Sequence, residues 1–264
     1  MPYAYLDGNR LYYEEAGKGQ PLVMIHGATQ DTLSWLDTLN AFAKNYHVMA
    51  IDLPGHGKSA LIKGKPTRTT LEFANTVWKF IQEKNLKQPI LIGHSMGAGI
   101  AMMTSIEHPQ AIKGVVAVDG GAAFRGPNGV HYSTDILKSV EINITDWLET
   151  MFHSVLGRTT SEAKRKEMAF DSTRCSPYVQ YSDLITYTSL NLNEHLHRIK
   201  KPVYYIMGED DWSTTPAMAE ETSKRLASMG VETDCVVLKG IGHIPHWEQP
   251  DVFNKVLAKV LNKF

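Results

Sequence analysis

Cysteine is nearly missing from this chain: Cys175 and Cys235 are the only two, far apart and outside any CxxC or Cys/His spacing. No disulfide framework or zinc site is expected, and a reducing compartment is the simpler expectation. An excess of one charge is missing too. The 27 Lys and Arg face 28 Asp and Glu, a formal net charge of −1. Neither nucleic acid nor an acidic membrane surface is therefore an expected partner. The one basic run, Lys164-Arg165-Lys166, is flanked by Glu162 and Glu167 and reads as a solvated helix face. No apolar stretch approaches the roughly 18 residues of a membrane span. Residues 1–10 show neither the charged nor the apolar region of a secretory signal. These absences make a cytoplasmic protein the expectation. At 264 residues the chain suits one large domain with room for an insertion.

What is present is alternation. Residues 3–6 and 11–15 flank Asp7-Gly8-Asn9 and read as a β-hairpin. Apolar strands are then expected at 22–25, 47–51, 89–92, 115–118, 203–207 and 235–238. Helices are expected at 32–44, 70–84, 96–107, 216–228 and 252–261, the second spaced on Leu71, Ala74, Val77, Trp78 and Ile81. Short strands alternating with helices point to an α/β fold with a mainly parallel sheet covered on both faces. Between residues 119 and 201 only helical stretches appear, around 133–156, 161–171 and 177–199. This pattern suggests a helical lid, giving a core of 1–122 and 200–264 and a cap of 123–199.

The chemistry-bearing motif is Gly93-His94-Ser95-Met96-Gly97, directly after the 89–92 strand and before a run of small helix formers. A strand, G-x-S-x-G and a helix in that order describe a nucleophile elbow, in which a strained turn exposes the serine hydroxyl. A serine becomes nucleophilic only when a base takes its proton, and a carboxylate best fixes that base. His243, among the small residues of Gly240-Ile241-Gly242-His243 after the last strand, is the candidate base, and His246 its local rival. Either Asp210 or Asp211, after the 203–207 strand, suits the orienting acid. Adjacent extended residues point opposite ways, so only one faces inward, and Asp211 is preferred.

With these residues the sequence resembles the α/β-hydrolase superfamily along essentially its whole length. The order Ser95, Asp211, His243 matches the family's Ser…Asp/Glu…His order. His26-Gly27, Asp52-Leu53-Pro54-Gly55-His56-Gly57-Lys58-Ser59 and His246-Trp247-Glu248-Gln249-Pro250 are further family-like signatures. The resemblance implies an eight-stranded, mostly parallel sheet with a helical cap after strand 6. It also implies an oxyanion hole made by the backbone N–H groups of Ala28 and Met96, and a third possible acid at Asp119. No cofactor is expected.

Two other readings are set aside. Gly57-Lys58-Ser59 is not a phosphate loop, because Asp52 stands where that motif needs glycine. His195-Leu196-His197 and His243-Ile244-Pro245-His246 lack zinc-protease spacing, so no metal is expected. A small-molecule ester is the expected substrate. Trp147, Met151, Phe152, Phe170, Tyr178 and Tyr181, with Trp35 from the core, suggest an apolar acyl or alcohol pocket. Arg125 and Lys138 are the cations available to clamp a carboxylate. Alternatives are a C–C hydrolase or enol-lactonase of aromatic catabolism, and a ligand-sensing relative with slow turnover.

Overall fold

The computed structural model describes residues 2–123 and 143–264. The first part of the 133–156 stretch, with Arg125 and Lys138, lies outside the described residues. β1 (Tyr3–Leu6) and β2 (Asn9–Ala16) form an antiparallel hairpin. Its turn residues Asp7 and Gly8 have φ of 49° and 79°, the left-handed pair that the tightest hairpin turn requires. β3 (Gln20–Ile25), β4 (Tyr46–Ile51), β5 (Ile90–His94), β6 (Gly114–Val118), β7 (Val203–Gly208) and β8 (Thr233–Leu238) complete one eight-stranded sheet. Its order is β1-β2-β4-β3-β5-β6-β7-β8, and every pairing from β4 to β8 along that order is parallel.

Each central strand is apolar on both sides because helices cover both faces. Alternation sends Val23, Ile25, Leu91, Val115 and Tyr205 into one core, packed with α2 (Thr70–Glu83) and α3 (Met96–Glu107). Leu22, Met24, Ile92, Val116 and Tyr204 enter the other, whose cover includes α1 (Leu36–Phe42) and the last helix of the chain. The helix expected at 32–44 divides into a 3₁₀ turn, Thr32–Trp35, and α1. Asp31 caps the 3₁₀ turn by accepting the Leu33 N–H at 2.9 Å. In α2 the buried face is Phe73, Ala74, Thr76, Val77, Phe80 and Ile81, and Leu71 lies outside it, 44% exposed.

Between β6 and β7 the described chain is helical: α4 (Ile144–Val155), α5 (Glu162–Ser172), α6 (Pro177–Thr188) and a 3₁₀ segment, Asn193–Arg198. The reading of Lys164-Arg165-Lys166 as a solvated face needs correction at Arg165. Its guanidinium donates to the carbonyls of Thr160 at 3.2 Å, His153 at 3.0 Å and Leu156 at 3.3 Å. A cation at the C-terminal carbonyls of α4 is where a helix end favours one. α7 (Pro216–Ser228), α8 (Pro245–Glu248) and α9 (Pro250–Leu261) each open on proline, whose missing N–H costs nothing at the first helical position. No helix among the described residues is long and apolar enough to cross a membrane.

Candidate active site

Parallel strands bring their carboxyl ends to one edge of the sheet, where ligands of such folds gather. Ser95 follows β5, Asp119 follows β6, Asp211 follows β7 and His243 follows β8. Ser95 has φ of 52° and ψ of −116°, a conformation that costs a non-glycine residue about 1–3 kcal/mol. The turn is feasible only with glycine on either side. A Cβ on Gly93 would lie 2.1 Å from the Gly97 carbonyl oxygen, and one on Gly97 would lie 2.4 Å from that of Ile25. The Ser95 N–H is tied to the Val118 carbonyl at 2.9 Å.

His243 Nε2 lies 2.9 Å from Ser95 Oγ, and His243 Nδ1 lies 2.6 Å from Asp211 Oδ2. The carboxylate fixes the tautomer, with Nδ1–H donating to Asp211 and Nε2 accepting from the serine. Asp211 is buried. Its Oδ1 accepts the Ser213 N–H at 2.8 Å, the Ser213 hydroxyl at 2.7 Å and the Thr214 N–H at 3.1 Å. The Thr214 hydroxyl donates to Oδ2 at 2.5 Å. Burial pushes this carboxyl up, but the His243 charge and these donors outweigh it and hold Asp211 below its ordinary value.

Asp210 and His246 are placed elsewhere. Asp210 accepts the Arg158 backbone N–H at 2.7 Å and pairs with the guanidinium of that residue. His246 is fully buried and stacks on Trp35 with ring centroids 3.8 Å apart. Burial, then the neighbouring His243, pushes His246 well down, so it stays neutral. Asp119 is also buried, with φ of 40°, and its Oδ1 accepts the Gly208 N–H at 2.7 Å. One oxygen each of Asp119 and Asp211 lies within 4.8 Å of the other and of a His243 nitrogen.

Burial, then the Asp211 charge, raises Asp119 well above the carboxylate range. A carboxyl whose folded pKa exceeds its unfolded value of about 3.9 binds more protons folded than unfolded, so stability falls as pH rises through that interval. Asp119→Asn keeps the Gly208 acceptor and removes the titration. Thermal melts across pH are expected to show a higher melting temperature at neutral pH and a flatter decline above about pH 4. A lower neutral melting temperature with an unchanged pH slope would contradict the buried neutral carboxyl.

The loop carrying His243 is pinned by a residue that sequence reading passes over. The buried Glu248 carboxylate accepts the N–H groups of Gly242 at 3.1 Å and Ile244 at 2.9 Å, on either side of His243. It also takes the Gly157 N–H at 2.8 Å and the Thr160 hydroxyl at 2.5 Å from the inserted segment. Glu248 stands in the His246–Pro250 signature, which was the one clue to it.

A cleft opens on Ser95 and His243 between the sheet edge and the inserted helices. Leu148, Met151, Phe152, Val155, Leu184 and Tyr187 line its helical side. Ala28 lies on the opposite wall, and no Asp, Glu, Lys or Arg among the described residues reaches the cavity. Met151 and Phe152 are where an apolar pocket needs them. Trp35 corrects that expectation: it belongs to the core under the sheet, against His246 and Phe253. Trp147 packs on the Leu148–Leu184 cluster behind the wall, and Tyr181 joins the same cluster. Phe170 and Tyr178 are exposed. Met96 begins α3, where its N–H has no carbonyl of a preceding turn to pair with and the helix dipole favours negative charge.

The sheet order, the strained serine after β5 and the histidine after β8 together define an α/β hydrolase. The chain belongs to the α/β-hydrolase fold family, whose model matches residues 20–250. It is 25% identical over 256 residues to an (E)-2-((N-methylformamido)methylene)succinate hydrolase of Acinetobacter baylyi, covering 96% of this chain and 94% of that one. A pimeloyl-[acyl-carrier protein] methyl ester esterase of Wigglesworthia glossinidia brevipalpis is also 25% identical, over 92% of this chain and 94% of its own. The solved structure of an esterase from Exiguobacterium antarcticum superposes with a TM-score of 0.87 over 98% of each chain, at 20% identity. At that identity the likeness speaks for the fold alone.

Proposed function

We propose that this chain is a serine hydrolase cleaving a carboxylic ester of an uncharged, apolar substrate through an acyl-enzyme. The observation that carries the reading is the relay from Asp211 to His243 to Ser95, at 2.6 and 2.9 Å. Ser95 Oγ attacks the ester carbonyl while His243 Nε2 takes its proton, and the imidazolium is stabilised by ionised Asp211. The oxyanion is received by the N–H groups of Ala28 and Met96. His243 then gives its proton to the departing alkoxide. Water, deprotonated by the same nitrogen, cleaves the acyl-enzyme and frees the acid and Ser95. A cavity wall without charge among its described residues supports an apolar acyl or alcohol group over an ionic one.

A panel of p-nitrophenyl esters of rising acyl length, run beside vinylogous diketo acids and enol-lactones, tests the reading. Turnover is expected on the esters, improving from acetyl to medium chains. Turnover confined to diketo acids or lactones would move the chain to the C–C or lactone branch. No turnover on any of them would favour the sensing alternative.

A further inference from the structure

We propose that Asp183, on the inserted helix α6, is a positioning residue for the oxyanion site, aiming the Ala28 N–H by fixing the peptide that follows it. The inference rests on the roles given above to Ser95 and Ala28. It makes turnover depend on α6 being seated against the sheet edge.

The Ala28 N–H lies in the plane of the peptide that precedes it, and that plane stays in place only if the chain is anchored on the far side of Ala28 as well. The preceding plane is fixed from the sheet side. Its carbonyl, on Gly27, accepts His26 Nδ1–H at 2.7 Å. The proton belongs on Nδ1 because His26 Nε2 accepts the Leu53 N–H at 2.9 Å, and burial holds the ring neutral. The following plane is fixed from the inserted helix, where the Thr29 N–H donates to Asp183 Oδ2 at 2.7 Å. Thr29 has φ of 65°, a conformation a β-branched residue keeps only when its surroundings hold it.

That anchor is ionic. Asp183 Oδ2 also lies 2.7 Å from His56 Nε2, with both side chains at 0% exposure. His56 Nδ1 lies 3.2 Å from the Pro54 carbonyl. With an acceptor at each nitrogen, His56 carries both ring protons. Burial pushes His56 down, but the Asp183 charge and hydrogen bond outweigh it and raise it above its ordinary value. A buried ion pair stabilises a fold no better than a well-packed apolar pair. What the carboxylate adds here is a strong, directed acceptor for one strained N–H beside the Ala28 donor.

The test uses the full chain and three variants: Asp183→Ala, Asp183→Asn, and the double variant His56→Leu with Asp183→Leu. The readouts are kcat and KM on the best ester, the rate at which a fluorophosphonate labels Ser95, and melting temperature. Asp183→Ala is expected to lose about 100-fold in kcat and in labelling rate, the scale of a misplaced oxyanion donor, with KM within about threefold. Asp183→Asn keeps one carbonyl for Thr29 and is expected to retain more activity than Asp183→Ala. The double variant is expected to recover melting temperature yet stay as slow as Asp183→Ala, because Thr29 still lacks its acceptor. Two results overturn the proposal: a folded Asp183→Ala with wild-type kcat and labelling rate, or a double variant whose activity returns together with its stability. Failure of wild type to label at Ser95 would instead sink the serine-hydrolase reading itself.

Discussion

Ser95→Ala is expected to lose about 10⁴- to 10⁶-fold in kcat and all fluorophosphonate labelling, with an unchanged fold. Removing the nucleophile abolishes the covalent route, and only residual catalysis by the oxyanion donors and binding survives. At about 1.4 kcal/mol per tenfold, the loss corresponds to roughly 5–8 kcal/mol of transition-state stabilisation. His243→Ala is expected to cost nearly as much, because the serine and its base act as a unit, and the double variant little more than either single one. Stopped-flow ester hydrolysis with mass mapping of the adduct checks both. A Ser95→Ala protein that kept wild-type turnover would remove the acyl-enzyme from the mechanism.

Asp211→Asn is the second large effect, about 10⁴-fold in kcat, because the amide orients the imidazole in the wrong tautomer. Its neighbour provides the contrast. Asp210→Asn disturbs a pair with Arg158, whose side chain is 63% exposed. Such pairs are worth about 0–1 kcal/mol, so activity is expected to stay within about fivefold. Steady-state kinetics on the two variants separate the roles; a severe loss at Asp210 with a mild one at Asp211 would reverse the assignment.

The elements most legible in the sequence were those governed by local chemistry. The strands of the parallel sheet announced themselves as short apolar runs, since burial on both faces leaves no polar alternation to confuse them. α7 was readable to both ends, Pro216 and Ser228, because proline at its first position marks the start. The elbow was readable because Gly93 and Gly97 are dictated by contacts within a few residues of Ser95 and by the adjacent strand. Elsewhere tertiary contacts override the local pattern. The 177–199 stretch looked like one helix, yet α6 ends at Thr188 and a 3₁₀ segment resumes at Asn193. Trp35 looked like a pocket aromatic, yet its partner is His246, from a segment far away in the chain.

The α/β alternation, the helical interruption after the sixth strand, and the chain order of Ser95, Asp211 and His243 are legible in the linear chain. These follow from hydrophobic periodicity and from motifs a few residues long. The folded chain is needed to show that Asp211, and not Asp210 or Asp119, meets His243, and which apolar residues line the cavity. It alone brought Glu248 to the His243 loop and Asp183 to the Ala28–Thr29 peptide. The reason is physical: those choices depend on side-chain direction at the ends of strands and on hydrogen bonds between residues as much as 154 positions apart, as from Thr29 to Asp183, and no local pattern encodes such a pairing.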